Sequence, residues 1–441
     1  MKKILVLGAG LVAKPLVQYL LEQKDLQVMV ASRTVSKAEK LVGGHPHGVT
    51  LSLDVSDTAR VSTLVREHDL TISLLPYTHH LMVAKLCLEH KKHLVTTSYV
   101  KKEMADLDAA VKSKGLLFMN EIGLDPGIDH MSAMKIINQV RDNGGQITSF
   151  RSYCGGLPAL DANNNPFGYK FSWSPKGVIL AAKNTARYMV DGKEINVASE
   201  NLFDDYHFLD VPNLGTFEAY PNRDSLPYIE TYGFKAIKTM YRGTLRNISH
   251  CETWRNMVAL GLFDNEHELN LGNQSGASFL GDFILKQKTD DLYEAVRAKL
   301  NLRDSTVFLR KLKWLGLFSQ TPLTTKSGTA VDVLTDIMLS KLQYAPGERD
   351  LVILHHEFVA EYPTKKEHIT STLIDHGIVN GDSAMSRTVG LPAAIISALI
   401  MKDQIKLSGV KIPVDKEVYI PVMKELVALG VDFKEVFKPA T

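Results

Sequence analysis

Cysteine is scarce in this chain: Cys87, Cys154 and Cys251 are the only three, and no two stand in a C-x-x-C spacing. That scarcity excludes a disulfide framework and a zinc knuckle, and it leads us to expect a reducing, cytoplasmic setting. Net charge is also small. A formal value of +2 over 441 residues leaves no electrostatic footprint for nucleic acid or an acidic membrane, so any bound anion must be held by local residues. The apolar stretch 4–7 is too short for a signal peptide or a membrane span, so no membrane association is expected. There is no internal repeat and no low-complexity tract. Metal-ligand spacing is missing too. His79-His80 and His355-His356 are adjacent pairs, and His130 falls where a helix begins, so helix-cap or surface roles and no metal are expected.

What is present is a long, ordinary globular composition, 45% hydrophobic and 23% charged, enough for two or three domains. Short apolar strand patterns at 4–7, 28–31, 50–53, 70–75, 93–96 and 116–119 alternate with helical patterns such as 77–90 and 102–114. This predicts an α/β chain whose N-terminal Rossmann domain, residues 1–128, is a parallel doubly wound sheet. Beyond it the rhythm changes to longer strand patterns at 147–154, 351–361 and 368–374. They imply a second, mixed α/β domain over 129–250 and 349–399. Helical patterns at 279–286, 290–299 and 330–342 predict an inserted helical subdomain over 251–348, and residues 400–441 are expected to pack back on the first domain.

The first strand runs into Gly8-Ala9-Gly10-Leu11-Val12-Ala13, a G-x-G-x-x-A fingerprint in the context its mechanism needs, after a strand and before a helix. Gly8 allows the tight turn, Gly10 lets the backbone approach a pyrophosphate, and Ala13 lets the helix lie close to the strand. The helix N-terminus offers unpaired N–H groups to phosphate. At the end of the second strand no carboxylate stands ready for ribose hydroxyls. Ser32-Arg33-Thr34, with Lys37 a turn further on, puts hydroxyls and cations where a 2′-phosphate lies, so NADP is favoured over NAD. Asp54-Val55 and Leu75, at later strand ends, face the same crevice. Asp54 reaches the adenine or caps a helix, and Pro76 turns Leu75 toward the dinucleotide.

Several stretches in this order closely resemble the saccharopine dehydrogenase family of the glutamate-forming type. They are Leu74-Leu75-Pro76-Tyr77, Thr97-Ser98-Tyr99, Gly123-Leu124-Asp125-Pro126-Gly127-Ile128-Asp129-His130-Met131 and Ser152-Tyr153-Cys154-Gly155-Gly156-Leu157-Pro158. Further along come Tyr169-Lys170-Phe171-Ser172-Trp173-Ser174-Pro175, Tyr220-Pro221-Asn222-Arg223-Asp224-Ser225, Arg242-Gly243-Thr244-Leu245-Arg246, Ser383-Ala384-Met385 and Thr388-Val389-Gly390-Leu391-Pro392. The loop Asp161-Ala162-Asn163-Asn164-Asn165 departs from the shorter family form. The resemblance implies an oxidoreductase of lysine metabolism and amino-acid biosynthesis. It would interconvert saccharopine with L-glutamate and 2-aminoadipate 6-semialdehyde, by NADP-dependent hydride transfer at an imine. It also implies a homodimer with a Rossmann domain, a mixed α/β domain and a helical domain.

Hydride transfer to an iminium carbon needs a protonated nitrogen, a held nicotinamide and exclusion of water. Thr97, Ser98 and Tyr99, and likewise Leu124, Asp125, Pro126 and Gly127, follow the last Rossmann strands and are expected to border the crevice. Asp125 either faces the amine of the substrate or caps the turn before Pro126. Saccharopine carries three carboxylates, which suits the planar fork of arginine. The resemblance carries substrate contact onto Arg223 and Arg246, with Thr244 and Leu245 as neighbours. Cys154 is read as lining the substrate site and Ser174 as a wall of the cofactor pocket. Two alternatives stand beside this reading: a related imine-reducing enzyme such as carboxynorspermidine dehydrogenase, and an NADP-binding sensor without catalysis.

Overall fold

The computed structural model describes residues 1–303 and 306–440; positions 304–305 of the expected helical subdomain and 441 of the C-terminal segment lie outside the described residues. The chain forms two compact units.

The first unit comprises residues 1–146, 361–365 and 371–437. Its strands are β1 (Lys2–Leu7), β2 (Leu26–Ser32), β3 (Gly48–Ser52), β4 (Leu70–Ser73), β5 (His93–Thr96), β6 (Leu117–Met119) and the late strand Gly409–Lys411. They form a seven-stranded sheet in the order Gly409–Lys411, β6, β5, β4, β1, β2, β3. All six pairings between neighbouring strands are parallel. Parallel strands are covered on both faces, which is why Ile4, Leu5, Val6 and Leu7 are buried as an unbroken apolar run. The strand order reverses between β1 and β4, so the C-terminal ends of these two strands open the crevice where such sheets bind ligands.

The helix Ala13–Leu21 turns its apolar residues inward and lies against the helix Ala384–Met401. Gly390 makes the approach possible, since a Cβ there would stand 2.7 Å from Val12 O. The helix Ala384–Met401 is long and apolar enough to cross a membrane, but 83% of that window is buried inside the fold. The expected helix 102–114 is broken into Lys102–Ala105 and Asp108–Ser113. The helix Ile128–Asp142 and residues 371–399 lie in this first compact unit, so the compact units are divided differently from the expected bounds 129–250 and 349–399.

The second unit comprises residues 147–360, 366–370 and 438–441. Its strands are β7 (Gln146–Pro158), β8 (Ala186–Val190), β9 (Lys193–Val197), β10 (His207–Val211), β11 (Gly215–Pro221), β12 (Thr239–Arg246) and Asp350–Glu361. They run in the order β10, β11, β12, β7, Asp350–Glu361, with the hairpin β8–β9 attached to β12. The sheet is mixed as expected, with β12 parallel to β7 and antiparallel to β11. The helices His250–Leu260, Leu292–Lys299, Val307–Leu315 and Ala330–Lys341 lie in the segment between 250 and 342, whose only strands among the described residues are the two-residue Leu269–Asn270 and Ser327–Gly328.

One buried charge ties that helical segment together. Lys311, only 1% exposed, donates to Thr253 Oγ1 at 2.6 Å, Ser249 Oγ at 2.9 Å and Ser249 O at 3.3 Å. The Glu218 carboxylate accepts the Ser249 and Cys251 amides, both at 2.7 Å, at the N-terminus of the helix His250–Leu260. A carboxylate there answers the helix dipole and its unpaired N–H groups.

Candidate functional site

The turn after β1 is built as its residues predict. Gly8 has φ +110°, and a Cβ there would stand 3.1 Å from Leu74 O, so both conformation and space require glycine. Gly10 differs: a Cβ on it would meet nothing in the chain within 4 Å, so no packing within the protein asks for a glycine there. A group outside the chain that approaches the backbone closely does ask for one. Ala13 is buried at the start of its helix, while Leu11 is 63% exposed, a large apolar side chain left open beside the turn. These residues fit a dinucleotide pyrophosphate.

At the end of β2, Ser32 Oγ accepts the Thr34 amide at 3.3 Å. Arg33 and Lys37 are exposed, and neither forms an ion pair among the described residues. Asp54 is not a helix cap. Its Oδ1 accepts the Ser56 amide at 3.0 Å and the Ser56 hydroxyl at 2.8 Å, and these bonds hold its carboxyl below the usual carboxylate range. The cap of the helix Thr58–Glu67 is Asp57, which accepts from Arg60 N at 3.0 Å. Val55 follows in the same loop, and Leu75 is half-buried just beyond the end of β4.

The segments 97–99 and 123–127 meet. Tyr99 donates its phenolic proton to Asp125 Oδ1 at 2.9 Å. At the start of the helix Ile128–Asp142, Asp129 Oδ1 accepts the Gly127 amide at 2.6 Å. Leu124 O accepts the Asp129 amide at 3.0 Å, and Pro126 O accepts the Gly123 amide at 2.9 Å, so the loop closes on itself. A Cβ on Gly127 would stand 2.1 Å from Gly123 O, and one on Gly123 3.1 Å from Thr97 Cβ. Both glycines are demanded by close approach.

The histidines depart from expectation. His130 is buried, with Nε2 2.9 Å from Glu121 Oε2, and Glu121 Oε1 accepts the Val100 amide at 2.8 Å. His80 is buried between the ends of β4 and β5, with Nδ1 2.9 Å from Ser73 Oγ and Nε2 2.8 Å from Ser98 Oγ. His355 and His356 are buried on the strand Asp350–Glu361. His130 stands in the first turn of its helix as expected, but none of these four is a surface residue. Among the described residues no group of three or more His, Cys, Asp or Glu side chains is placed to hold a metal ion.

In the second unit the parallel register sets Thr244 beside Cys154, and the antiparallel one sets Leu245 beside Ala219. A Cβ on Gly155 would stand 2.8 Å from Leu245 Cβ, so the two strands pack tightly at this end. Arg246, the last residue of β12, is 7% exposed. Its Nη1 donates to Leu245 O at 2.8 Å, its guanidinium lies 5.2 Å from the Tyr169 ring centroid, and its buried Nε has no hydrogen-bond partner. It forms no ion pair among the described residues. Burying an unpaired guanidinium is expensive, and an anion brought to it removes the penalty. Burial also pushes the Tyr169 phenol up to about 12, and burial beside Arg246 and Lys311 drives His250 well below the ordinary histidine range, so both stay neutral. Arg223 is exposed, with φ +57°, and its carbonyl accepts the Arg187 amide at 2.9 Å. Ser174 caps the helix Pro175–Leu180, accepting the Gly177 amide at 3.3 Å.

The parallel sheet, its switch point and the glycine turn define a dinucleotide-binding protein of Rossmann type. Residues 4–119 match the saccharopine dehydrogenase NADP binding domain, and residues 123–431 match the saccharopine dehydrogenase C-terminal domain. The chain belongs to the saccharopine dehydrogenase family. It is 39% identical over 445 residues to saccharopine dehydrogenase (NADP(+), L-glutamate-forming) of Schizosaccharomyces pombe, covering 99% of both chains. It is 40% identical to the protein of the same name from Pyricularia oryzae, covering 98% of both. The solved apo structure of saccharopine dehydrogenase (L-Glu forming) from Saccharomyces cerevisiae superposes with a TM-score of 0.89 at 37% identity, over 99% of this chain and 100% of that one. These matches favour neither the carboxynorspermidine dehydrogenase alternative nor the non-catalytic sensor.

Proposed function

We propose that this chain is an NADP(H)-dependent oxidoreductase that interconverts saccharopine with L-glutamate and 2-aminoadipate 6-semialdehyde. The observation that carries the reading to the substrate is Arg246: a buried cation with an unpartnered Nε and no ion pair calls for an anionic ligand, and saccharopine brings three carboxylates.

The dinucleotide is assigned to Gly8, Gly10, Leu11, Val12 and Ala13 at the turn, with Ser32, Arg33 and Thr34 on the 2′-phosphate. Asp54, Val55, Leu75, Thr97, Ser98, Leu124, Asp125, Pro126, Gly127 and Ser174 complete its contacts. Held by these residues, NADP would supply a hydride acceptor for the carbon next to the bridging nitrogen of saccharopine, and NADPH a donor for the reverse; the imine left by hydride loss takes up water to give L-glutamate and the semialdehyde. The chain itself binds and orients. Asp125, its carboxylate steadied by the Tyr99 phenol, is assigned the positive charge of the amine. Arg223 and Arg246 are assigned substrate carboxylates, with Thr244, Leu245 and Cys154 lining the same strand ends. Ser98 and Tyr99 are assigned to substrate as well. No covalent intermediate is required, so the Cys154 thiol has no nucleophilic task.

A cytoplasmic homodimer without membrane association, acting in lysine metabolism, is part of the same proposal. The small net charge supports the lack of membrane association and the three free cysteines a reducing, cytoplasmic setting, while the dimer and the place in lysine metabolism rest on the family alone. The test is oxidation of saccharopine with NADP and chromatographic identification of the amino acid released. Glutamate is expected. Lysine would overturn the reading, and NADPH binding without turnover would point to the sensor.

A further inference from the structure

Strands β4 and β5 end side by side on Ser73 and Thr96, both buried. His80, the first residue of the helix His80–Glu89, lies across these ends. Its Nδ1 is 2.9 Å from Ser73 Oγ, its Nε2 is 2.8 Å from Ser98 Oγ, and Thr96 Oγ1 is 3.3 Å from the same Nε2. A neutral imidazole has one donor nitrogen and one acceptor, so the two sides are not interchangeable. Ser73 Oγ has Nδ1 as its single partner among the described residues. Its buried proton is therefore satisfied only by donation to that nitrogen. The two short contacts therefore favour a ring proton on Nε2, given to Ser98 Oγ at 2.8 Å, over the opposite tautomer, which would serve the longer contact to Thr96. Thr96 Oγ1, the more distant neighbour, already accepts the Ser98 amide at 3.4 Å.

With its oxygen accepting from the ring, Ser98 keeps its own hydroxyl proton to give in another direction. The backbone around it is pinned from both sides. The Glu121 amide donates to Ser98 O at 3.2 Å, and the Glu121 carboxylate accepts the Val100 amide at 2.8 Å. Burial, with His79 and Lys101 nearby, pushes His80 down to about 4, so the ring is neutral at neutral pH.

We propose that His80 is a positioning residue whose Nε2–H holds the Ser98 hydroxyl as a donor aimed at a carbonyl or carboxylate oxygen of the bound ligand. That oxygen belongs to the nicotinamide carboxamide or to a substrate carboxylate. The step from Ser98 to ligand rests on the reading of function above; the direction of the hydrogen bonds does not.

The first test is nitrogen NMR of the full chain labelled at histidine, with His80→Gln used for assignment. We expect a ring protonated at Nε2 that does not titrate between about pH 5 and 8. Protonation at Nδ1, or titration in that window, overturns the proposal. The second test is a double-mutant cycle of His80→Ala and Ser98→Ala, read as NADPH dissociation constant and as kcat and KM for saccharopine. We expect His80→Ala to weaken one of these by about 2- to 10-fold in the unaltered background and to add nothing once Ser98 is alanine. His80→Gln, with one donor and one acceptor, restores part of the loss. Movement of the NADPH constant assigns the oxygen to the cofactor, and movement of the saccharopine terms assigns it to substrate. Additive losses overturn the proposal, because His80 then acts on the fold alone. If the unaltered protein does not oxidise saccharopine, the functional reading fails and the NADPH arm of the cycle still decides the role of His80.

Discussion

Tyr99 donates its phenolic proton to Asp125 Oδ1 at 2.9 Å, joining two loops 26 residues apart in sequence. The bond fixes where a carboxylate sits without neutralising it. Tyr99→Phe keeps the ring and loses the proton donor. A hydrogen bond to a charged group contributes about 1.5–3 kcal/mol, so kcat/KM for saccharopine should fall about 10- to 100-fold. NADPH affinity and thermal unfolding should stay near their unaltered values. Steady-state kinetics check this, and an unchanged kcat/KM removes Asp125 from the amine.

Arg33 is exposed, forms no ion pair among the described residues, and follows Ser32 at the end of β2. Arg33→Ala should erase most of the preference for NADP over NAD, a change of about 1.5–3 kcal/mol or roughly 10- to 100-fold. The ratio of kcat/KM for the two cofactors measures it. Equal use of both by the unaltered protein would contradict the assignment.

Arg246 makes the opposite prediction for stability and for activity. Its charge is buried without an ion pair, so Arg246→Leu should leave the ligand-free protein as stable as before or more so. Arg246→Lys should be far from conservative, because an ammonium has no planar fork. In both variants kcat/KM for saccharopine should fall by at least about 10- to 100-fold with NADPH binding kept. Unfolding curves and kinetics on the same samples separate this from a merely structural arginine, whose loss would lower both together.

Two glycines should fail in different ways. Gly127→Ala drives a Cβ to 2.1 Å from Gly123 O, so the loop must rearrange and the fold should lose stability by more than about 2 kcal/mol. Gly10→Ala meets nothing in the chain, so unfolding should be unaffected while NADPH affinity drops sharply. Calorimetry and fluorescence titration of both variants test the contrast. Normal NADPH binding by Gly10→Ala would count against the pyrophosphate assignment.

Lys311 gives a pH dependence. Burial lowers it from 10.5 to about 8 in the folded chain. Between these values the unfolded chain holds a proton that the folded one has released, so this group makes stability rise with pH across the window. Below pH 8 the full penalty of burying the charge applies. The stability difference between the unaltered protein and Lys311→Met should therefore shift in favour of the unaltered protein from pH 8 to 10.5, by on the order of 3 kcal/mol. Denaturant titrations at pH 7 and 10 show the shift or its absence.

Reading the sequence recovered the parts of the fold where one local pattern decides the outcome. β1, the glycine turn and the helix Ala13–Leu21 follow from an apolar run, two glycines and an amphipathic stretch within about twenty residues. The long strands β7 and Asp350–Glu361 carried their own pattern. β8 to β12 did not. β9 is Lys-Glu-Ile-Asn-Val and mostly exposed, and β12 buries Arg242 and Arg246 where a strand pattern calls for apolar residues. The same holds for the candidate site. The cofactor turn is a contiguous motif, whereas the Tyr99–Asp125 bond and the Ser73–His80–Ser98 chain exist only after separate strand ends come together.

The strand Gly409–Lys411 pairs with β6, and Val410 N donates to Asp108 Oδ1 at 2.9 Å. The sheet that starts with β1 is therefore completed by a strand about 290 residues after β6. On a ribosome the chain emerges from its N-terminus, so the dinucleotide sheet waits with the edge of β6 unpaired until residues 409–411 have followed. The helix Ala13–Leu21 waits as well, uncovered until Ala384–Met401 appears. An open parallel edge beside bare apolar surface is what chaperones bind and what aggregates. A chain cut short before residue 384 would carry the complete cofactor fingerprint on an unfinished sheet, so its failure would be one of assembly, long before any question of chemistry arises.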